Sequence, residues 1–401
     1  MITGCFLNPR AQRGPYPEAL AAVLSPAQGA RYAAWLSGWP RVPDTPTPLL
    51  SLPAQAERLG LGALALKDEG RRSPLGSFKA LGAPVALVAE VLRRHPTWDG
   101  PSVLAGRYAG ALAGFTVISA TDGNHGRSLA AAAQDAGCRC VIVLHAEVSE
   151  EREAAIAALG AKIVRVSGNY DASVAEAARL ADAEGWQVLS DTSYVGYEQI
   201  PGDVMQGYSR IAAEALAQAP ENFSHVVLQG GVGGLAAGVV SEFWGRLGAD
   251  RPTVLVVEPV QADCLLQSAR EGRAASATGS VDSVMAGLAC GEASPLAWRF
   301  LETSVDAFLT IEDGAAIAAM RRLAQGSDRE PPLVVGECGA AGLAALEGLS
   351  AEDRAALGLD ETASVVLINT EGATAPAVYA ALVGDSAEAV AMRRDQWQPA
   401  L

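Results

Sequence analysis

The stretch GFTVISATDGNHGRSLAAAAQDAGCRCVIVLH, residues 114–145, decides the fold. Its first seven residues are an apolar, β-branched run opened by glycine, which reads as a buried strand. TDGNHG (121–126) is loop chemistry. RSLAAAAQDAG (127–137) is helix-forming and closes on Gly137, and CVIVLH (140–145) is a second apolar run. Apolar strands separated by a helix of this length imply a βαβ unit and a parallel sheet buried on both faces. Downstream the alternation continues: a helix at 149–160 with Ser149 as its cap, KIVRVS (162–167), a helix at 173–185 and WQVLS (186–190). Gly160 and Gly185 mark the helix ends. These elements predict a small α/β domain over residues 92–192. A second alternation follows, with a helix at 207–217, HVVLQ (225–229), a glycine-rich loop, TVLVVEP (253–259), a helix at 339–348 and SVVLINT (364–370). Together with GALALKDEG (62–70, a short strand) and a helical run over 76–92, they predict a larger, discontinuous domain of residues 1–91 and 193–401. Residues 1–60 are proline-rich and read as irregular, with helical pieces at 18–24 and 28–36. The stretch 95–106 reads as a crossing between the domains.

The chain has 401 residues, of which 50% are hydrophobic and 19% charged, with 42 glycines. This suits a compact α/β enzyme and excludes a disordered, collagen-like or coiled-coil chain. A net charge of −15 argues against binding a phosphate backbone, so no nucleic-acid partner is expected. Neither a signal-type apolar leader nor a run of about 18 apolar residues occurs, which predicts a cytoplasmic protein with no membrane partner. The six cysteines form no C-x-x-C pair and the four histidines are scattered, so no metal site is expected. Of 30 basic residues only three are lysines: Lys67, Lys79 and Lys162. Chemistry that needs a lysine has three candidates.

Three segments carry candidate chemistry. QGGVGGLAAG (229–238) follows a strand and opens a helix, where glycines admit a ligand to the backbone and free N–H groups attract an anion. It reads as a phosphate cradle. The alternatives are a tight strand–helix turn, or a dinucleotide fingerprint (Gly231, Gly233, Ala236) with Glu258 as ribose acceptor. In SFKALGA (77–83), Lys79 stands in an apolar segment, where desolvation favours the neutral, nucleophilic amine; a snorkelling lysine is the plain alternative. TDGNHG sits at the carboxyl end of a predicted parallel strand, where ligands bind in such sheets. Asp122 there has the chemistry of a general base, or with Asn124 that of a helix cap.

Taken in order, these segments resemble the pyridoxal-phosphate enzymes of the tryptophan-synthase-β fold, which include the serine and threonine dehydratases. KDEGRRSPLGSFK (67–79), TDGNHGR (121–127), SDTSYVGYEQIP (190–201), VMQGY (204–208), VEPVQADC (257–264), MAGLACGE (285–292), GECGAAGL (336–343) and INTEG (368–372) are similar to the diaminopropionate ammonia-lyases of that fold. The resemblance covers residues 60–385. It implies a fold type II α/β architecture of two three-layer domains with mostly parallel sheets, pyridoxal 5'-phosphate as cofactor, an amino-acid substrate and a homodimer. Lys79 is then the residue that joins the cofactor as a Schiff base, with Phe78 near the ring. Asn124 bonds the ring's 3-hydroxyl oxygen, Gly230, Gly231, Val232, Gly233 and Gly234 bind the phosphate, and Thr370 sits at the pyridine nitrogen. Ser77, Thr121, Asp122, Gly123, His125 and Asp191 surround the substrate, whose carboxylate goes to the 121–125 loop. The implied reaction is α,β-elimination of 2,3-diaminopropionate, in one or both enantiomers, to pyruvate and ammonia. Lys79 and Asp122 serve as bases on opposite faces, and Asp122 and Asp191 are the anionic partners of the two amines. A structural turn is the alternative for Asp191.

Three positions depart from the pattern. Gly76 and Ser77 stand where the lyases carry Asn-Ala, and Cys338 replaces a serine. They keep open a dehydratase-like lyase acting on a serine-like or other β-substituted amino acid. From other classes, a nicotinamide-dependent dehydrogenase and a non-catalytic amino-acid-binding module are also compatible with parts of the sequence. Cys264 and Cys290 both lie in family-like segments; whether they bond is left open.

Overall fold

The computed structural model describes residues 2–121, 123–168 and 170–399. Eleven strands are described: β1 (Ile2–Leu7), β2 (Leu49–Ser51), β3 (Ala63–Asp68), β4 (Thr116–Ala120), β5 (Arg139–Leu144), β6 (Lys162–Arg165), β7 (Gln187–Val188), β8 (His225–Gln229), β9 (Thr253–Pro259), β10 (Ala307–Ile311) and β11 (Ser364–Asn369). They form a seven-stranded sheet in the order β1-β10-β9-β8-β11-β3-β2 and a four-stranded sheet in the order β6-β5-β4-β7. The small sheet is parallel throughout. In the large sheet β10, β9, β8, β11 and β3 run parallel, and only the edge strands β1 and β2 pair antiparallel.

The core follows from the two-residue period of buried strands. Val226, Leu228, Val254, Val256, Phe308, Val366 and Ile368 face one way, onto the helices Gln199–Gln218 and Gly234–Leu247. Their neighbours Val227, Leu255, Val257, Leu309, Val365 and Leu367 face the other way, onto the helices Asp313–Gln325 and Ala341–Gly348. The first of these clusters runs on through the helix Ala83–Arg94 to Leu129–Ala133 of the helix Asn124–Ala136, so one apolar core spans both sheets. Ile118, Ala120, Val141 and Val143 pack on Ala177 and Ala181 on the far face of the small sheet.

Several sequence expectations are corrected. Residues 1–60 are not wholly irregular: β1 pairs with β10 and β2 with β3. Edge strands need only one partner, so their sequence is less continuously apolar than that of the central strands. The stretch 95–106 holds the helix Gly100–Leu104, capped by Asp99, which accepts the Ser102 N–H at 3.0 Å. The helical run over 76–92 divides. Phe78–Leu81 is a 3₁₀ turn, and the α-helix begins at Ala83 with Pro84 in its first turn, where proline's missing N–H costs nothing. Lys79 therefore lies on a tight turn rather than inside a helix. The helix after β4 starts at Asn124, three residues earlier than expected, and the helix predicted at 207–217 runs from Gln199 to Gln218.

Candidate active site

The carboxyl ends of strands from both sheets converge on one cleft, where open parallel sheets bind ligands. β8 ends at Gln229 and feeds Gly230–Gly234; β11 ends at Asn369 and feeds Thr370 and Glu371; β4 ends at Ala120 and feeds the 121–126 loop. The cleft encloses about 1050 Å³, part of it open to solvent, and Phe78, Lys79, Thr121, Gly123, Asn124, His125, Asp191, Gly230, Gly231, Val232, Gly234 and Thr370 line it. Ser77 and Gly233 do not line it. Ser77 is buried behind the wall, and Gly233 turns the chain into the helix Gly234–Leu247 with φ +98°. Asp122 lies outside the described residues.

Backbone pairing sets the position of Lys79. The Phe78 N–H donates to Thr370 O at 3.0 Å and the Gly372 N–H to Gly76 O at 2.9 Å, so the lysine turn is stitched to the exit of β11. Lys79 Nζ then reaches Asp191 Oδ2 at 2.5 Å and lies 5.3 Å from the Phe78 ring centre and 5.8 Å from that of Tyr208. Burial opposes the ammonium, but Asp191 outweighs it, with Tyr208 and Cys290 adding to the effect, and the Lys79 pKa is raised. Burial likewise opposes the Asp191 carboxylate, yet Lys79 and then His125 hold its pKa below the ordinary range. The pair is a charged couple.

His125 is buried, with Nε2 2.9 Å from Leu189 O and Nδ1 3.6 Å from Asp191 Oδ2. A carbonyl only accepts, so Nε2 carries the proton, and the buried Nδ1 faces Asp191 without a hydrogen bond. Burial first, and the Lys79 charge with it, keep the imidazole pKa low although Asp191 pulls the other way. Thr121 Oγ1 accepts the N–H groups of Gly123 and Gly126 at 3.1 and 3.3 Å and so shapes the loop.

The glycine cradle is steric as well as conformational. A Cβ on Gly230 would lie 2.6 Å from Glu258 Cγ and 3.2 Å from Val257 O. Gly231 has φ +60°, a region that favours glycine. Glu258 is no ribose acceptor: it is fully buried and accepts the N–H groups of Leu265 and Leu266 at 2.9 and 2.8 Å, capping the helix Cys264–Glu271. That removes the acidic partner of the dinucleotide reading. None of the six cysteines is disulfide-bonded, Cys264 and Cys290 included.

Sequence reasoning gave no role to several lining residues, among them Tyr208, Arg152, Glu371 and Cys338. Tyr208 and Glu371 stand inside segments already quoted, VMQGY and INTEG, but no periodicity distinguishes a residue that faces a cleft from one that faces the core. Cys338, where a serine was expected, is buried between Glu337 and Glu371; burial first, then those carboxyls, keep it a thiol.

These residues fit a phosphorylated pyridine aldehyde. The cradle Gly230–Gly234 opens a helix N-terminus, suited to the phosphate. Thr370 Oγ1 is buried and has no hydrogen-bond partner, which suits a ring nitrogen. Lys79 is the one lysine of the three on the cleft wall. Fold and site thus define a cofactor-dependent enzyme with an amine nucleophile beside an anion cradle.

The family model of pyridoxal-phosphate dependent enzymes matches residues 42–371. The diaminopropionate ammonia-lyase of Salmonella typhimurium is 36% identical over 358 residues, covering 84% of this chain and 87% of that protein. The Escherichia coli K12 lyase is 35% identical over 86% of this chain and 89% of its own length. The crystal structure of the selenomethionine-labelled holo lyase from Escherichia coli superposes with a TM-score of 0.86 at 32% identity, covering 96% of both chains. A second structure of that lyase, with an aminoacrylate–PLP azomethine reaction intermediate, gives 0.84 at 31% identity over 96% of this chain and 97% of that one. This chain belongs to the pyridoxal-phosphate-dependent enzymes and, within them, to the diaminopropionate ammonia-lyase family.

Proposed function

We propose that this protein eliminates ammonia from 2,3-diaminopropionate. Water then releases the second amine, so that one substrate and one water yield one pyruvate and two ammonia molecules. The observation that carries the reading is the Lys79–Asp191–His125 cluster on the cleft wall, in a chain similar to the lyases along nearly its whole length. When bound, the cofactor supplies an electron sink that makes the α-proton of an amino acid acidic. Gly230, Gly231, Val232, Gly233 and Gly234 hold its phosphate, Phe78 flanks its ring, Asn124 its 3-oxygen and Thr370 its ring nitrogen. Lys79 Nζ takes the α-proton on one face. Asp122 takes it on the other, which allows both enantiomers. Asp191 receives the second ammonium of the substrate, and the backbone N–H groups of Asn124 and His125, which open the helix, receive its carboxylate. Each well-placed proton transfer contributes about 10²–10⁴-fold in rate. A cytoplasmic homodimer belongs to the same reading.

Of the departures that kept a dehydratase-like reaction open, Gly76 and Ser77 are not on the cleft wall, whereas Cys338 lines it. The test is to supply both enantiomers of diaminopropionate, and D- and L-serine, to the holoenzyme and count products. Two ammonia per pyruvate from the diamine, with serine much slower, supports the reading. Serine turning over faster than either diamine overturns it. In Asp122→Asn, activity on one enantiomer is expected to fall far more than on the other.

A further inference from the structure

Two carboxyl groups of the seven-stranded-sheet side reach across the cleft to the four-stranded-sheet side. Glu371 Oε2 accepts Asn124 Nδ2–H at 2.5 Å, and Glu337 Oε1 lies 3.2 Å from Arg152 Nη2. Asn124 opens the helix that follows β4, and Arg152 lies on the helix Glu150–Ala157. Glu371 is buried and firmly placed. Its Oε1 accepts the Cys338 N–H at 3.3 Å, Thr374 Oγ1 donates to its Oε2 at 3.4 Å, and its backbone O accepts the Gly336 N–H at 2.8 Å. It also bridges to Ser77, two residues before Lys79. A carboxamide has two nearly isosteric orientations, and only its partners decide between them. Donors converge on Glu371, so the group that Asn124 turns toward it is the NH₂. One N–H is spent there; the other stays free on the same nitrogen.

We propose that Glu371 is a positioning residue, which fixes the amide orientation of Asn124 so that its remaining N–H is presented to the 3-oxygen of the cofactor ring. The inference rests on the cofactor reading above and assigns Glu371 no contact with substrate. Without Glu371 the amide is free to flip, and half its orientations would offer a carbonyl oxygen to an oxygen. Its loss therefore weakens cofactor retention and alters the electronic environment of the ring, in the same way as loss of Asn124 itself.

The experiment measures the cofactor dissociation constant and absorption band of the wild type, Glu371→Gln, Asn124→Ala and the double variant, with far-UV circular dichroism as the check on folding. A wild type that forms no Lys79-dependent band would defeat the cofactor reading itself. Given that band, Glu371→Gln is expected to bind the cofactor about tenfold or more weakly, the scale of a hydrogen bond to a charged group, and to shift the band. The double variant is expected to be no worse than Asn124→Ala alone, since both act on one contact. An unchanged band and affinity in Glu371→Gln, or losses that multiply in the double variant, would overturn the proposal. If Glu371→Gln does not fold, Glu371→Asp, which draws the carboxyl back from Asn124, is read against the same outcomes.

Discussion

Lys79 and Asp191 show how a buried site keeps two opposite charges. Each is penalised by burial, and each is held ionised by the other at 2.5 Å. Removing one partner leaves the other charge unpaired, which is the costly case. If Asp191 also receives the second ammonium of a diamine, Asp191→Asn hurts diaminopropionate turnover more than that of serine, which has no such group. We expect kcat/KM to fall at least about tenfold further for the diamine, the scale of one charged hydrogen bond; equal losses would remove that role. Glu337 gives a pH signature. Burial, and next the nearby Glu371, push its pKa from 4.5 up to about 7 against the pull of Arg152. The folded protein thus keeps a proton that the unfolded chain releases, so this contribution is present below pH 4.5 and is lost as pH rises to about 7. Denaturant titrations across that window should show a shallower fall for Glu337→Gln than for the wild type. Of these residues, Lys79 stood out because lysine is rare in this chain, and Asp191 because SDTSYVGYEQIP (190–201) resembles a lyase segment. Glu337 and Glu371 were not, because their meaning comes from a contact across the cleft between positions 185 and 247 residues apart.

At the scale of elements, β3, β4, β5, β8, β9 and β11 were read to within a residue or two because burial on both faces writes a continuous apolar run, but the equally buried parallel strand β10 was missed. HVVLQ and TVLVVEP coincide with β8 and β9. The antiparallel edges escaped, as did the 3₁₀ turn under Lys79, whose residues have helical spacing but whose geometry is set by pairing with the exit of β11. At Gly230 the β8–helix turn has no room for a side chain. In Gly230→Ala the added methyl meets Glu258 and the β9 backbone, so the cradle must move. Overpacking of this kind costs about 1–3 kcal/mol. We expect a lower Tm together with cofactor affinity reduced by more than tenfold, checked by thermal melts with and without added cofactor. A melt that shifts while affinity stays intact would separate the turn from phosphate binding.

Across the whole molecule, two sheets share one apolar core and one cleft, and the three lysines fall in three different environments. Lys67 is fully buried in an ion cluster, 2.8 Å from Glu214, which also binds Arg72, itself paired with Glu69; that cluster ties β3 to the helix Gln199–Gln218. Lys162 is exposed at the start of β6, on the edge of the small sheet. Only Lys79 lines the cleft. No described helix is long and apolar enough to cross a membrane. The sequence alone narrowed the chemistry to three amines, and the placement of strand ends selects one. The most direct measurement is to load the protein with pyridoxal phosphate, fix the bond with borohydride and map the modified peptide by mass spectrometry. A single modification on Lys79, absent in Lys79→Ala, is the predicted result; an unmodified Lys79, or a label on Lys67 or Lys162 instead, would contradict the account.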